Sequence, residues 1–548
     1  MYRHASISTS SPNSFATDPV PCIIDTDPGV DDVVAILLAL ASPELLVLAI
    51  TLTHGNTTLD STLVNLQKMF YALEIHLQQY PDEKFKWPGL DTQLRQRLGV
   101  GPIQVILGPN APIRGEAVTA KYFHGVDGLS DISTRHPELT PASFPTTHPF
   151  YTVSQGNMVD DVFALLNSRE PSSIAFLALG PLSSLALLHK RSVQQDKPST
   201  ASILHSFAVI FVMGGAVDAP GNTTPVSEFN IYADPYAADV IFSLALPHLH
   251  IIPLDTTTSH TLPYDLYGSL VDPSFDSTLN PSLPENKTPL VHFTSSFLEK
   301  TRETSRYYGE DAMVLHDPCV IWALIDWSQG EPGGFEDDET AELIHPIVES
   351  LVVSIPGDSP ISQSATTPIS PDSDLITPDS IVPKHTHRRR QTSSDLRARY
   401  ERFMIEHVLD STKHGLKREQ SRDSVSDAFS EYDDDKLLVR MSSIGTNLSG
   451  GASIQSWDVE DRIAIGWEWV WREFAVETSG TMTRGMMVTD RRRVPSGNKN
   501  RAIEDDSVKE EVTTPSGAKV IIGTPGADTM RALLMERVWG VTLGGWGM

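Results

Sequence analysis

The chain has 548 residues, 40% of them hydrophobic, and a formal net charge of -28. That balance suits a soluble globular protein and argues against partners such as nucleic-acid backbone or an anionic membrane, which call for basic faces. Length alone suggests about two to four domains. The two cysteines, Cys22 and Cys319, are too few for a disulfide framework or a cysteine zinc site and read as small core residues.

Residues 1–19 lack the apolar region of a secretory signal and read as a disordered lead-in, so the cytoplasm is expected, with the nucleus as an alternative. From residue 20 onward short apolar runs alternate with helical patterns. "CIID", "LLVLAITLTHGN", "IQVILG", "SIAFLALGPL", "AVIFVMGG" and "LHIIPLD" each look like a buried strand, and most end in Gly, Asn or Asp. Helical stretches such as Leu59 to Leu73 and Pro235 to Leu246 lie between them. The apolar run from Val33 to Leu52 is interrupted by "SPE" at 42–44, so it predicts helix, turn and strand rather than a membrane span. Buried strands alternating with helices predict an α/β fold with a mostly parallel, Rossmann-like open central sheet flanked by helices. In such a sheet the ligand crevice lies beyond the carboxyl ends of the strands.

Residues 331–464 are rich in Ser, Thr, Pro, Asp and Arg and poor in apolar residues. Such a composition cannot bury enough surface to offset its ordering entropy. A largely disordered insertion is expected, with one amphipathic stretch between Leu396 and Val408. Order is expected again from Trp467. There "WEWVWREFAVETSG" alternates like a strand, and "TPGADTMRALLMERVWG" predicts a final helix capped by Asp528. The expected organisation is one discontinuous domain, residues 20–330 and 465–546, around the insertion.

The chemistry concentrates in "DTDPGVDD" at 25–32, which sets Asp25, Asp27, Asp31 and Asp32 within eight positions beside apolar runs. Two unit charges ~4 Å apart repel by ~4 kcal/mol at an effective dielectric near 20. A strand ending before Pro28-Gly29 and a helix beginning near Asp31 would gather these acids at one point. A helix N-terminus and a hard divalent cation, Ca²⁺ or Mg²⁺, are the two agents that would hold them ionised. The plain alternative is that one Asp caps the helix and the rest are solvated. "IIDTDPG" also resembles the start of an aspartyl phosphotransferase, with Asp25 as nucleophile and Mg²⁺ nearby, although Pro28-Gly29 departs from that pattern.

"DTDPGVDD" resembles most closely the DxDPGxDD motif of the inosine–uridine-preferring nucleoside hydrolases, and further segments resemble that family in order. These are "THGN" at 53–56 with Asn65, "HGVDGL" at 124–129, "LGPLSSLAL" at 179–187, the stretch from Val212 to Pro235 containing "SEFNIYADP", "LHDP" at 315–318, and "VETSGTMTRGMMVTD" at 476–490. The resemblance implies calcium-dependent hydrolysis of the N-glycosidic bond of ribonucleosides, of the uridine or inosine type, to free base and ribose in nucleoside salvage. It implies one Ca²⁺ per active site, held by Asp27, Asp32, Asp317 and the main-chain carbonyl of Leu179, where the family commonly has Thr. Asp31 falls at the general base that activates the attacking water, and His316 at the base contact and general acid. Asn56, Asn222, Glu228 and Asn230 match ribose contacts, with Phe229 packed beside the ribose. His124 is expected at the mouth on a closing loop, and Tyr307 and Tyr308 are candidates for stacking on the base. The resemblance further implies a homo-oligomer, dimer or tetramer, acting on a small-molecule nucleoside. A second reading is a catalytically silent relative that works through its insertion as an interaction or regulatory protein.

Overall fold

The computed structural model describes residues 18–141, 143–193, 202–329, 466–489 and 517–543. The expected insertion at 331–464, its amphipathic stretch included, and the lead-in up to residue 17 lie outside the described residues. Apolar runs bounded by polar residues become the strands β1 (Val20–Thr26), β2 (Leu45–Leu52), β3 (Ile103–Leu107), β4 (Tyr151–Val153), β5 (Ile174–Ala178), β6 (Phe207–Met213) and β7 (Leu249–Ile252). Later come β8 (Thr261–Pro263), β9 (Ala312–Val314), β10 (Glu468–Arg472), β11 (Phe474–Val476), β12 (Met487–Thr489) and β13 (Ala518–Gly523). Every residue of β2 and β5 is buried, the signature of strands covered on both faces.

Among the described residues one nine-stranded sheet runs in the order β10-β13-β7-β6-β5-β1-β2-β3-β4. All its pairs are parallel except β10 with β13. Strand order turns back at β1, whose neighbours are β2 on one side and β5 on the other. The carboxyl ends of β1 and β5 therefore form the switch point where open α/β sheets bind ligands.

Helix α1 (Val30–Leu40) starts immediately after Pro28-Gly29, and all of its residues are buried, including Asp31 and Asp32. It ends where Ser42 precedes Pro43, a position that disfavours helical backbone. The other helices that shape the site are α2 (Leu59–Gln79), α3 (Ser183–Val193), α4 (Phe229–Ala233), α5 (Pro235–Ser243), α6 (Pro289–Tyr307), α7 (His316–Gln329) and α8 (Ala527–Trp539). Helix α1 packs against α7 and α8, which explains why it has no polar face beyond its two acids.

The residues after 465 complete the sheet. Strand β13, which sequence periodicity had not singled out, adds parallel to β7, and β10 adds antiparallel at the edge. The segment expected as a single strand from Trp467 divides in two. Phe474 buries its ring edge-on against Phe242, with centroids 4.9 Å apart, and this draws β11 off the main sheet to pair with β12. Asp528 is not the cap of α8. Gly526 occupies that position, and Asp528 sits in the first turn with an ion pair to Arg531 at 2.7 Å. Both cysteines are buried, as expected. Among the described residues no helix is long and apolar enough to cross a membrane.

Trp467 ties this returning segment to α7. Its ring lies 4.8 Å from that of Trp322, and its indole N–H donates to Asp326 Oδ2 at 2.8 Å. Both indoles are almost wholly buried. Replacing Trp467 with Ala is expected to destabilise the fold by about 3–5 kcal/mol, measured by urea unfolding. A loss under ~1 kcal/mol would show that the segment is not anchored there.

Candidate active site

The acidic motif folds into a knot of hydrogen bonds at the end of β1. Asp32 Oδ1 accepts from Thr26 Oγ1 (2.5 Å) and the Asp27 amide (3.3 Å). Its Oδ2 accepts from the Gly29 amide (3.0 Å) and from Asn56 Nδ2 (2.9 Å). Asp27 Oδ2 accepts from the Asn56 amide at 2.6 Å, whereas Asp27 Oδ1 is buried and accepts no hydrogen bond. Asp25 lies apart from this group. It is wholly buried in the sheet, accepts from Thr51 Oγ1 at 2.5 Å and does not line the cavity described below, so it has no access to a phosphoryl substrate.

Two glycines make room for the knot. A Cβ on Gly29 would sit 2.5 Å from His124 Nδ1, and a Cβ on Gly180 would sit 2.7 Å from Asp27 Oδ1. Asp317 arrives from the first turn of α7, and carboxylate oxygens of Asp31, Asp32 and Asp317 lie within 4.8 Å of one another. Burial, then repulsion from Asp32, raises the Asp31 carboxyl to about 7. Burial and the same acidic neighbours push Asp27 and Asp317 well above the ordinary carboxylate range.

A divalent cation fits this group. The donors are hard oxygens, Asp27 Oδ1 is an orphaned buried acceptor, and the mutual repulsion is of the kind such an ion removes. The Leu179 carbonyl, just past β5, accepts from Asn230 Nδ2 at 2.6 Å and keeps a second lone pair for an ion.

Above the acids opens a cavity of about 850 Å³. It is lined by Asp31, Asn56, His124, Leu179, Asn222, Glu228, Phe229, Asn230, His316 and Asp317, so the expected site residues converge here, with Asp27 and Asp32 bound into its floor. Asn56, expected at the ribose, also serves the floor, since both its amides donate to the acids. Glu228 caps α4: its Oε1 accepts from the Asn230 amide (2.8 Å), and its Oε2 from Gly215 (2.9 Å) and Ile231 (3.1 Å). Asn222 Oδ1 accepts from the Phe229 amide at 2.9 Å. The side-chain amide nitrogen of Asn222 and the side-chain oxygen of Asn230 remain for other partners. Tyr308 lines the cavity; Tyr307 does not.

Two histidines face the cavity in neutral form. His124 Nδ1 accepts from the Val30 amide at 3.2 Å, which leaves the proton on Nε2. Burial holds His124 down at about 4, and burial with His124 as neighbour does the same to His316. Thr257 Oγ1 lies 2.8 Å from His316 Nδ1 and orients that ring.

The loop bearing His124 is pinned from α2. Asn65 Nδ2 donates to the carbonyls of Pro28 (3.0 Å) and Asp127 (2.8 Å), joining the loop to the acidic turn. Lys68, fully buried, donates to Ser133 Oγ at 2.5 Å and pairs with Asp127 at 3.6 Å. Sequence reasoning missed Tyr122, Met213, Asp255 and Met313, which also line the cavity. Only Asp255 carried a signal, at the polar end of "LHIIPLD". Its carboxylate accepts the amides of Val217, Asp218 and Ala219 and so shapes the loop leading to Asn222.

Comparison with known proteins bears on what this site is for. The family model described as inosine-uridine preferring nucleoside hydrolase matches residues 22–87 and 90–513. The chain belongs to that family. It is 31% identical over 310 residues to the pyrimidine-specific ribonucleoside hydrolase RihA of Salmonella arizonae, covering 56% of this chain and 79% of that one. It is 30% identical over 305 residues to the probable uridine nucleosidase 2 of Oryza sativa subsp. japonica, covering 55% and 73%. Among solved structures, a plant nucleoside hydrolase aligns over 95% of this chain and 99% of its own at 18% identity, with a TM-score of 0.48. As a nucleoside hydrolase the protein is an enzyme, and its two sequence relatives are named for pyrimidine ribonucleosides and for uridine.

The Gly180 contact supplies a test of the floor. Gly180→Ala is expected to displace the Asp27 carboxylate and weaken binding of a divalent cation at least ~10-fold, read by titration calorimetry, while circular dichroism is unchanged. Unaltered affinity in a folded variant would show that Asp27 is no ligand.

Proposed function

We propose that this nucleoside hydrolase cleaves pyrimidine ribonucleosides, uridine first, to free base and ribose in nucleoside salvage, with Ca²⁺ held by Asp27, Asp32, Asp317 and the Leu179 carbonyl. The observation that carries the reading is the meeting of buried, mutually repelling carboxylates with an amide-lined cavity at the sheet's switch point. The relatives named for pyrimidine ribonucleosides and for uridine support the choice of substrate.

When bound, the ion supplies Lewis acidity that makes a water molecule easier to deprotonate. The rest falls to the chain. Asp31, on the cavity wall, takes the proton from the attacking water. Asn222 and Asn230 offer one free donor and one free acceptor to sugar hydroxyls, which are themselves both donors and acceptors. As the glycosidic bond breaks, positive charge grows on the ribose, and the acidic floor together with Glu228 favours it electrostatically. His316 is neutral in the ordinary working range because its folded value lies near 4. It therefore acts on the departing base as a hydrogen-bond donor through Nε2–H, with Nδ1 directed at Thr257. Phe229 and Tyr308 supply apolar surface for the sugar and base.

The decisive assay incubates the protein with uridine, cytidine, inosine and adenosine, with and without a chelator, and measures free ribose. Ribose from uridine that chelation abolishes and added Ca²⁺ restores is the expected result. Chelator-insensitive release, or none from any nucleoside by folded protein, would defeat the proposal. Asp31→Asn should lower kcat by ~10²–10⁴ with a much smaller change in KM. A kcat within a few-fold of wild type would remove Asp31 from the role of base.

A further inference from the structure

We propose a second metal site, built from His136, Glu138 and His292 and suited to a late first-row dication such as Zn²⁺. One ligand atom from each of these residues lies within 4.8 Å of the others, and none of the three lines the nucleoside cavity. His136 and Glu138 flank and enter the short turn Pro137–Leu139, a few residues past the His124 loop, and His292 comes from the first turns of α6. Both imidazoles are buried, while the Glu138 side chain is 45% exposed. The two rings meet edge to face with centroids 5.5 Å apart.

Glu138 Oε1 stands 3.2 Å from His136 Nδ1 and 3.0 Å from His292 Nε2. Bonds of 2.0–2.1 Å at tetrahedral angles separate neighbouring zinc ligands by about 3.3 Å. The observed spacing needs little adjustment to admit the ion. The outward nitrogens are also engaged: His136 Nε2 faces Glu299 Oε2 at 3.4 Å, and His292 Nδ1 faces Ser282 Oγ at 3.0 Å. Such partners are what orient metal-bound histidines and fix the tautomer.

The proton count on His136 separates this site from an ordinary cluster. Both of its nitrogens face carboxylate oxygens, which accept only. A neutral imidazole has one N–H and satisfies one of them. One nitrogen is then left facing a carboxylate with no proton between them, and a cation between Nδ1 and Glu138 would relieve that contact. The nearby basic groups have their own partners, Arg135 on Glu299 at 2.5 Å and Lys287 on Asp272 at 2.6 Å. That leaves Glu138 with the two histidines as its charged or chargeable partners here. Two imidazole nitrogens and one carboxylate oxygen form a borderline donor set that favours zinc over calcium, and the exposure of Glu138 leaves a position for solvent. The ion would clamp the segment after the His124 loop to α6, beside the existing contact of Ser130 Oγ with Thr301 Oγ1 at 2.9 Å.

The test uses the full chain, stripped of metal, then held in excess Ca²⁺ to occupy the acidic floor and dialysed against Zn²⁺. Retained zinc is counted by mass spectrometry, and the histidine rings are followed by nitrogen-15 NMR. Wild type is expected to retain one equivalent more than His292→Gln or Glu138→Gln, and zinc should raise its melting temperature but not theirs. The His136 ring should then show one metal-bound and one protonated nitrogen. Glu138→Gln changes a half-exposed side chain and keeps an acceptor, so it decides the matter if His292→Gln fails to fold. Equal zinc in all three proteins, or a His136 imidazolium in zinc-saturated wild type, overturns the proposal and leaves a hydrogen-bonded clamp.

Discussion

Like charges held together against their repulsion organise this molecule. Asp27, Asp31, Asp32 and Asp317 are buried side by side, and the charged neighbours that most perturb Asp27, Asp31 and Asp317 are other members of the group. A sheet whose order reverses at β1, a turn where a Cβ on Gly29 would collide with His124, and a helix that is buried end to end all serve to bring those groups to one place. Hydrogen bonds from Thr26, Gly29 and Asn56 fix the directions of the oxygens but cannot cancel their charge. A divalent cation fits as the counterweight, since the donors are hard oxygens that line or underlie one cavity.

The local part of this plan was legible in sequence, because the same residues that make the strand and helix also carry the acids. "DTDPGVDD" holds the strand end, the turn and the helix start within eight positions, so the elements that carry the acids are set locally even though Asn56, Asn65 and His124 fix them from afar. The parallel α/β class followed from apolar runs ending in polar residues. The gathering of Asn222, Glu228, Asn230 and His316 around one cavity was anticipated through resemblance, since spacing in the chain says nothing of how α4 meets α7. Strand β13 and the division of the Trp467 segment were not legible. Both depend on packing against β7 and Phe242, contacts made with residues more than two hundred positions away.

The cavity also shows how burial chooses between roles that sequence leaves open. The histidine beside Asp317 shows this: burial, with His124 as neighbour, lowers His316 to about 4 and so favours the uncharged ring. His124 is fixed by the Val30 amide in the tautomer that leaves Nε2–H available. Asp255 on the cavity wall, and Lys68 and Asn65 behind it, shape loops whose ends reach the cavity. Lys68 escapes motif reading because its partners, Ser133 and Asp127, are distant in the chain.

The pairing of Trp322 with Trp467 has a consequence for how the two parts of the core are joined. These indoles meet just before the chain leaves α7 and just after it re-enters the sheet, so departure and return are fastened at one stem. In general, closing a flexible loop costs an entropy that rises only with the logarithm of its length, about 0.6 kcal/mol for each doubling, so what decides such a closure is the strength of the contact at its ends. The stem thus holds the two ends of the hydrolase core in register through its own contacts, and the sheet's last strands are positioned by that junction.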